Sequence, residues 1–151
     1  MTTTRDPGLD ENERRALRAV AARMIPASAA HGVPGADDDA IFADIVRSLG
    51  RDTPAVRSAL RQLDALAGAP FADLPAPAGE EAARRLREAH PSLAAALVAA
   101  VVRCYYRDDR VMRAIGMEPR PPFPRGFDVA EGDLSLLDPV RARGAIWRKA
   151  P

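Results

Sequence analysis

Few side chains in this 151-residue sequence have the types that do chemistry on their own. One thiol, Cys104, and two imidazoles, His31 and His90, are its whole stock of thiol and imidazole metal ligands. A nucleophilic thiol needs a base and an electropositive setting. Cys104 instead follows the apolar run Leu93 to Val102 and reads as a small buried hydrophobe. A zinc centre would need more such ligands than the sequence holds. A single cysteine also excludes an internal disulfide framework. His31 lies in a Gly/Pro loop and reads as a surface residue; His90 directly precedes Pro91 and reads as a helix cap.

The run Asp37-Asp38-Asp39 has charge enough to attract a divalent cation. It lacks the alternating oxygen ligands and distal glutamate of a calcium loop, so it reads as the acidic start of a helix. No Gly-x-Gly-x-x-Gly or Gly-x-x-x-x-Gly-Lys occurs, which leaves no phosphate-cradling loop. Paired catalytic carboxylates need only meet in space, and nothing in the sequence singles out a pair. Basic residues gather at Arg141, Arg143, Arg148 and Lys149, with no acid beyond Asp138. A nucleic-acid site wants a larger basic footprint with stacking aromatics. Here 22 basic side chains face 21 acidic ones, so no nucleic-acid partner is expected.

The segment Tyr105-Tyr-Arg-Asp-Asp-Arg110 carries the most information. Tyrosine and arginine are enriched at protein interfaces. The competing reading makes Tyr105 a core residue and Tyr106 half-exposed, with Asp108 capping the next helix.

These residues must be positioned by helices. The 31 alanines favour helix, and the 14 prolines must lie at helix ends or between helices. The length suits one domain. The pattern predicts an all-α fold, a compact bundle of about five to six short helices with an extended Pro-rich C-terminal arm. Residues 1–9 read as a flexible leader, 10–116 as the helical domain, and 117–151 as the arm.

Asp10 and Glu13 resemble a capping box for a helix over 11–25, stopped by Pro26. Residues 26–36 read as loop. A second helix is expected over 39–49, ended by Gly50. Thr53-Pro54 reads as N-cap and first helical position of a third, ending near Gly68. Residues 69–79 read as loop, with Phe71 and Leu74 as plugs into the core. A short fourth helix is expected over 80–89. A fifth runs over 91–106, apolar nearly all round and therefore read as central. Asp108 or Asp109 caps a sixth, which ends before Gly116.

Beyond Gly116 six prolines accompany Phe123, Phe127, Leu134, Leu136, Leu137, Ile146 and Trp147. Residues before proline avoid the helical region, so 118–125 should be extended. Linkers lack large apolar side chains, so this segment reads as an arm lying on a surface, the domain's own or a partner's. No apolar run approaches the roughly 20 residues of a membrane span. The polar N-terminus shows no signal segment, and the twin arginines Arg14-Arg15 lack a following apolar core; a cytoplasmic location is expected.

Several segments resemble the gluconate 2-dehydrogenase subunit 3 family: Cys104-Tyr-Tyr-Arg-Asp-Asp-Arg110, Glu118-Pro-Arg-Pro-Pro-Phe-Pro-Arg-Gly126 and Leu136-Leu-Asp-Pro-Val-Arg-Ala-Arg-Gly144. The first helix, ending in Ile25-Pro26, and Phe71-Ala-Asp-Leu74 are similar to further family elements. The resemblance implies a small, helical, non-catalytic subunit that supports a large flavoprotein dehydrogenase of the glucose–methanol–choline type. The FAD would then belong to the partner, with no cofactor or metal in this chain. Many family members begin with a twin-arginine signal, unlike this sequence, which favours a complex in the cytoplasm.

On that basis the partner contact is expected within residues 105–147. Phe123, Leu136, Leu137 and Trp147 would be apolar anchors. Arg120, Arg125, Arg141 and Arg143 would be polar clamps. Tyr105, Tyr106, Asp108, Arg110 and Pro139 complete the expected partner-binding set. The alternatives are a stand-alone helical binding or regulatory protein, taking a ligand or nucleic acid, and an enzyme built from scattered carboxylates and arginines.

Overall fold

The computed structural model describes residues 8–128 and 130–144. The fold is all-α, and its only β pairing among the described residues is the isolated bridge between Ser28 and Val33. The chain divides into two compact units, the first ending at Pro119 and the second beginning at Arg120. Every buried apolar side chain among the described residues lies between Leu9 and Val111, within the first unit.

α1 (Glu11–Met24) begins with the expected capping box. The Glu13 amide donates to Asp10 Oδ1 at 2.8 Å, and the Asp10 amide donates to Glu13 Oε2 at 3.0 Å. Two amides that lack helical partners are thereby satisfied. Glu13 is itself buried, and its carboxylate receives Arg57 Nε at 3.0 Å. The cap therefore also ties α1 to the third helix. Ala16, Leu17, Val20 and Ala21 form the inward stripe.

α2 (Asp39–Ser48) is capped by Asp38, whose carboxylate accepts from the Ala40 and Ile41 amides. Ile41, Phe42 and Ile45 fill the core. Gly50 ends α2 as expected, and a 3-10 turn, Gly50–Asp52, leads directly into α3 (Thr53–Ala67). Thr53 is the first residue of α3 and not its cap, because its hydroxyl donates backwards to the Gly50 carbonyl at 2.8 Å. Gly68 ends α3 at φ 71°, a left-handed conformation that suits glycine.

Phe71 is buried as expected, within the 3-10 turn Phe71–Asp73. α4 (Ala76–Ala89) starts one turn earlier than its composition indicated. Pro77 sits in the first turn, where an amide has no helical partner to lose. α5 (Pro91–Tyr105) follows after His90, which closes α4 and opens α5 through its backbone.

α5 packs on three other helices but is not buried on all sides. α3 packs on α1, α4 and α5, whereas α5 packs on α2, α3 and α4 and leaves one face open. Ala94, Leu97, Val101 and Cys104 are buried, but Ala95 and Ala99 are exposed, and Val98 is 46% exposed. Alanine allows an apolar helix to face outward at small cost, because its side chain presents little area. α6 (Asp109–Ala114) buries only Val111.

The second unit corrects the expectation of an extended arm. Residues 122–126 turn, closed by the Gly126 amide on the Pro122 carbonyl at 2.5 Å. A 3-10 turn, Leu134–Leu137, then runs into α7 (Asp138–Arg141), with Pro139 in its first turn. Asp133 caps the 3-10 turn by accepting from the Ser135 amide and hydroxyl at 3.0 and 2.6 Å. Among the described residues no helix is long and apolar enough to cross a membrane.

Candidate functional site

Two places carry the residues expected to bind a partner, and each is a separate problem in side-chain chemistry. The first is the turn from α5 to α6. Tyr105 is buried, and its hydroxyl donates to the Pro34 carbonyl at 3.2 Å. Burial pushes its phenol up, reinforced by the neighbouring Tyr106 ring and the Asp108 charge. Tyr105 therefore anchors the 26–36 loop to the core. Tyr106 meets it edge-on, ring centroids 5.2 Å apart, and is 50% exposed.

Asp108 and Arg110 also have internal work. Asp108 caps α6 through the Arg110 amide at 2.9 Å and pairs with the Arg110 side chain at 3.0 Å. The same guanidinium reaches Asp38, the cap of α2, at 2.8 Å. One arginine thus bridges the caps of two helices. Its hydrogen bonds hold the carboxyls of both Asp108 and Asp38 below the usual range, against a smaller opposing effect of burial. The two carboxylates in turn raise Arg110, Asp108 most.

Arg107 makes a parallel link to α2, donating to Asp44 at 2.6 Å and to the Ser48 hydroxyl. Burial pushes Asp44 up, but Arg107 and Arg47 together outweigh it and leave the carboxyl lowered. Of the four residues expected here as partner contacts, Tyr105, Asp108 and Arg110 are engaged inside the first unit. Tyr106 presents an open ring.

The second place is the second unit. Phe123 is 84% exposed and Leu136 is 76% exposed; Leu134, Leu137 and Val140 are exposed with them. Arg120 lies over the Phe127 ring at 4.5 Å and donates to the Gly126 carbonyl at 2.8 Å, so it organises the 122–126 turn. Arg141 pairs with Asp138 at 3.1 Å within α7. Arg125 and Arg143 have no side-chain partner among the described residues. Trp147 lies outside the described residues.

The remaining candidates resolve into structure. Cys104 is a free, buried thiol. His31 is exposed. Asp37–Asp39 form a helix start, with Asp38 as cap and Asp39 paired to Arg18 at 2.8 Å. Among the described residues no group of three or more His, Cys, Asp or Glu is placed to hold a metal ion.

One feature is absent from the sequence reading altogether. A cleft of about 580 Å³ opens between α1, α4 and α5, walled by Val20, Met24, Leu86, Leu97 and Val98. Its signal in the sequence is the second apolar side of α5, where Val98 faces outward and lines the cleft. Comparison with protein-family models, with curated proteins and with solved structures finds no match.

Proposed function

We propose that this protein is a non-catalytic small subunit that binds and stabilises a large FAD-dependent sugar or alcohol dehydrogenase. The reading rests on the family resemblance of residues 104–144. The observation that supports it best is the exposure of Phe123, Leu134, Leu136, Leu137 and Val140 within one short unit. Large apolar side chains exposed together in one short unit are the composition of an interaction surface.

In this reading the flavin, the substrate site and the electron path all belong to the partner. The complex is a hetero-oligomer of the cytoplasm. Phe123, Leu136 and Leu137 act as apolar anchors, with Trp147 as a fourth. Arg125 and Arg143 reach acidic groups or carbonyls of the partner, because no carboxylate among the described residues engages them. Tyr106 contributes from the first unit, while Tyr105, Asp108 and Arg110 support the turn that carries it.

The test is a tagged pull-down from the native host with the flavin spectrum recorded. A yellow protein should co-purify with the full chain and be lost from a Phe123→Asp, Leu136→Asp, Leu137→Asp variant. A variant that retains the flavoprotein with unchanged affinity would overturn the assignment of the surface. A full chain that captures no flavoprotein would overturn the function.

A further inference from the structure

The cleft in the first unit has the size of a small-molecule site, within the roughly 300–1,000 Å³ that such sites occupy. Met24 on one wall is an adaptable side chain that fits irregular apolar ligands. The polar groups around the cleft come mainly from α4, and they are unequally occupied. Arg84 is taken by Glu81 at 2.6 Å and Glu88 at 2.5 Å. Arg23 lies over the Phe71 ring at 4.7 Å and donates to the Phe71 and Leu74 carbonyls. Glu80 and Arg87 also line the cleft, and neither has a side-chain partner among the described residues. Seven positions apart on α4, they are separated by about 10 Å along the helix axis.

A cation without a side-chain partner among the described residues therefore lines the apolar cleft, two turns along α4 from the corresponding acid. We propose that the cleft binds an apolar chain ending in a carboxylate, of the medium-chain fatty-acid class. The chain lies against Met24, Leu97 and Val98, and the carboxylate pairs with the Arg87 guanidinium. Planar two-point pairing of this kind is what arginine offers a carboxylate. The inference concerns the first unit alone and is independent of the partner reading.

Calorimetric titration of the full chain with decanoate tests it. Decanoate should saturate at one molecule per chain. Arg87→Glu should weaken binding by at least about tenfold, the scale of a charge-assisted contact. Arg51→Glu makes the same charge change on the Gly50–Asp52 turn, which lines no part of the cleft, and should leave affinity unchanged. Ala83→Trp, which fills the cleft, should abolish binding while helical circular dichroism is retained. If that variant does not fold, the comparison of Arg87→Glu with Arg51→Glu decides. Three results would each overturn the proposal: no saturable decanoate binding, equal weakening by the two arginine variants, or equally tight binding of decyltrimethylammonium.

Discussion

At the scale of single residues, Arg110 has the largest structural share of the α5–α6 turn. It joins Asp108 and Asp38, and both carboxyls are lowered by it. A carboxyl lowered in the fold contributes stability above its ordinary value, near 4, and that contribution disappears as pH falls through the folded value. Arg110→Ala should therefore be less stable than the parent at pH 7. The gap should begin to narrow as pH falls below about 4 and close only as both carboxyls pass through their lowered folded values. Urea midpoints measured between pH 7 and pH 3 check this; a gap that stays constant across the range would show that the two aspartates are not its source. The sequence leaves Asp108 and Asp109 both open as the cap of α6 and places Asp108 and Arg110 together in the partner-binding set. The difference lies in Asp38, a partner distant in sequence and invisible to local spacing.

At the scale of elements, the helices were legible wherever their ends obey local rules. Asp10 with Glu13, Pro26, Gly68 and Pro91 each fixed a boundary that the structure keeps within a residue or so. The start of α4 was not legible, because Pro75, Pro77 and Gly79 look like loop until tertiary packing is known. Gly79 is buried against Arg23: an added Cβ there would meet the Arg23 Nε at 2.9 Å and Cζ at 3.0 Å. That guanidinium is pinned between the Phe71 ring and two carbonyls and has little room to retreat. Glycine to alanine inside a helix normally stabilises by about 1 kcal/mol. Gly79→Ala should instead destabilise the parent, yet stabilise an Arg23→Ala background. A double-mutant cycle by urea denaturation reads the coupling, and additive effects would remove Arg23 as the reason for glycine here.

At the scale of the whole molecule, the two units differ in kind. The first holds the buried apolar cluster from Leu9 to Val111; the second buries no apolar side chain among the described residues. Hydrophobic burial is the main favourable term in folding, so the first unit should fold without the second. A chain ending at Pro119 should keep its helical circular dichroism and melt cooperatively. Loss of cooperative melting would mean that the second unit contributes to the core after all. In the sequence the prolines beyond Gly116 mark a change of pattern, but they do not announce the turn at 122–126 or α7. Both depend on short-range bonds, such as Arg120 to Gly126 and Asp133 to Ser135, that no periodicity announces.

Cys104 is the sole thiol of the chain and lies on the inner face of α5, 1% exposed. A disulfide reagent can reach it only when the bundle opens. Its labelling rate is therefore a chemical clock for opening of the first unit. Trp147, the sole indole, belongs to the other end of the sequence. Thiol labelling and tryptophan emission thus report on different parts of one unmodified polypeptide. If the C-terminal region captures a partner as proposed, the emission should change first, and the clock should slow only if the bundle is also held shut.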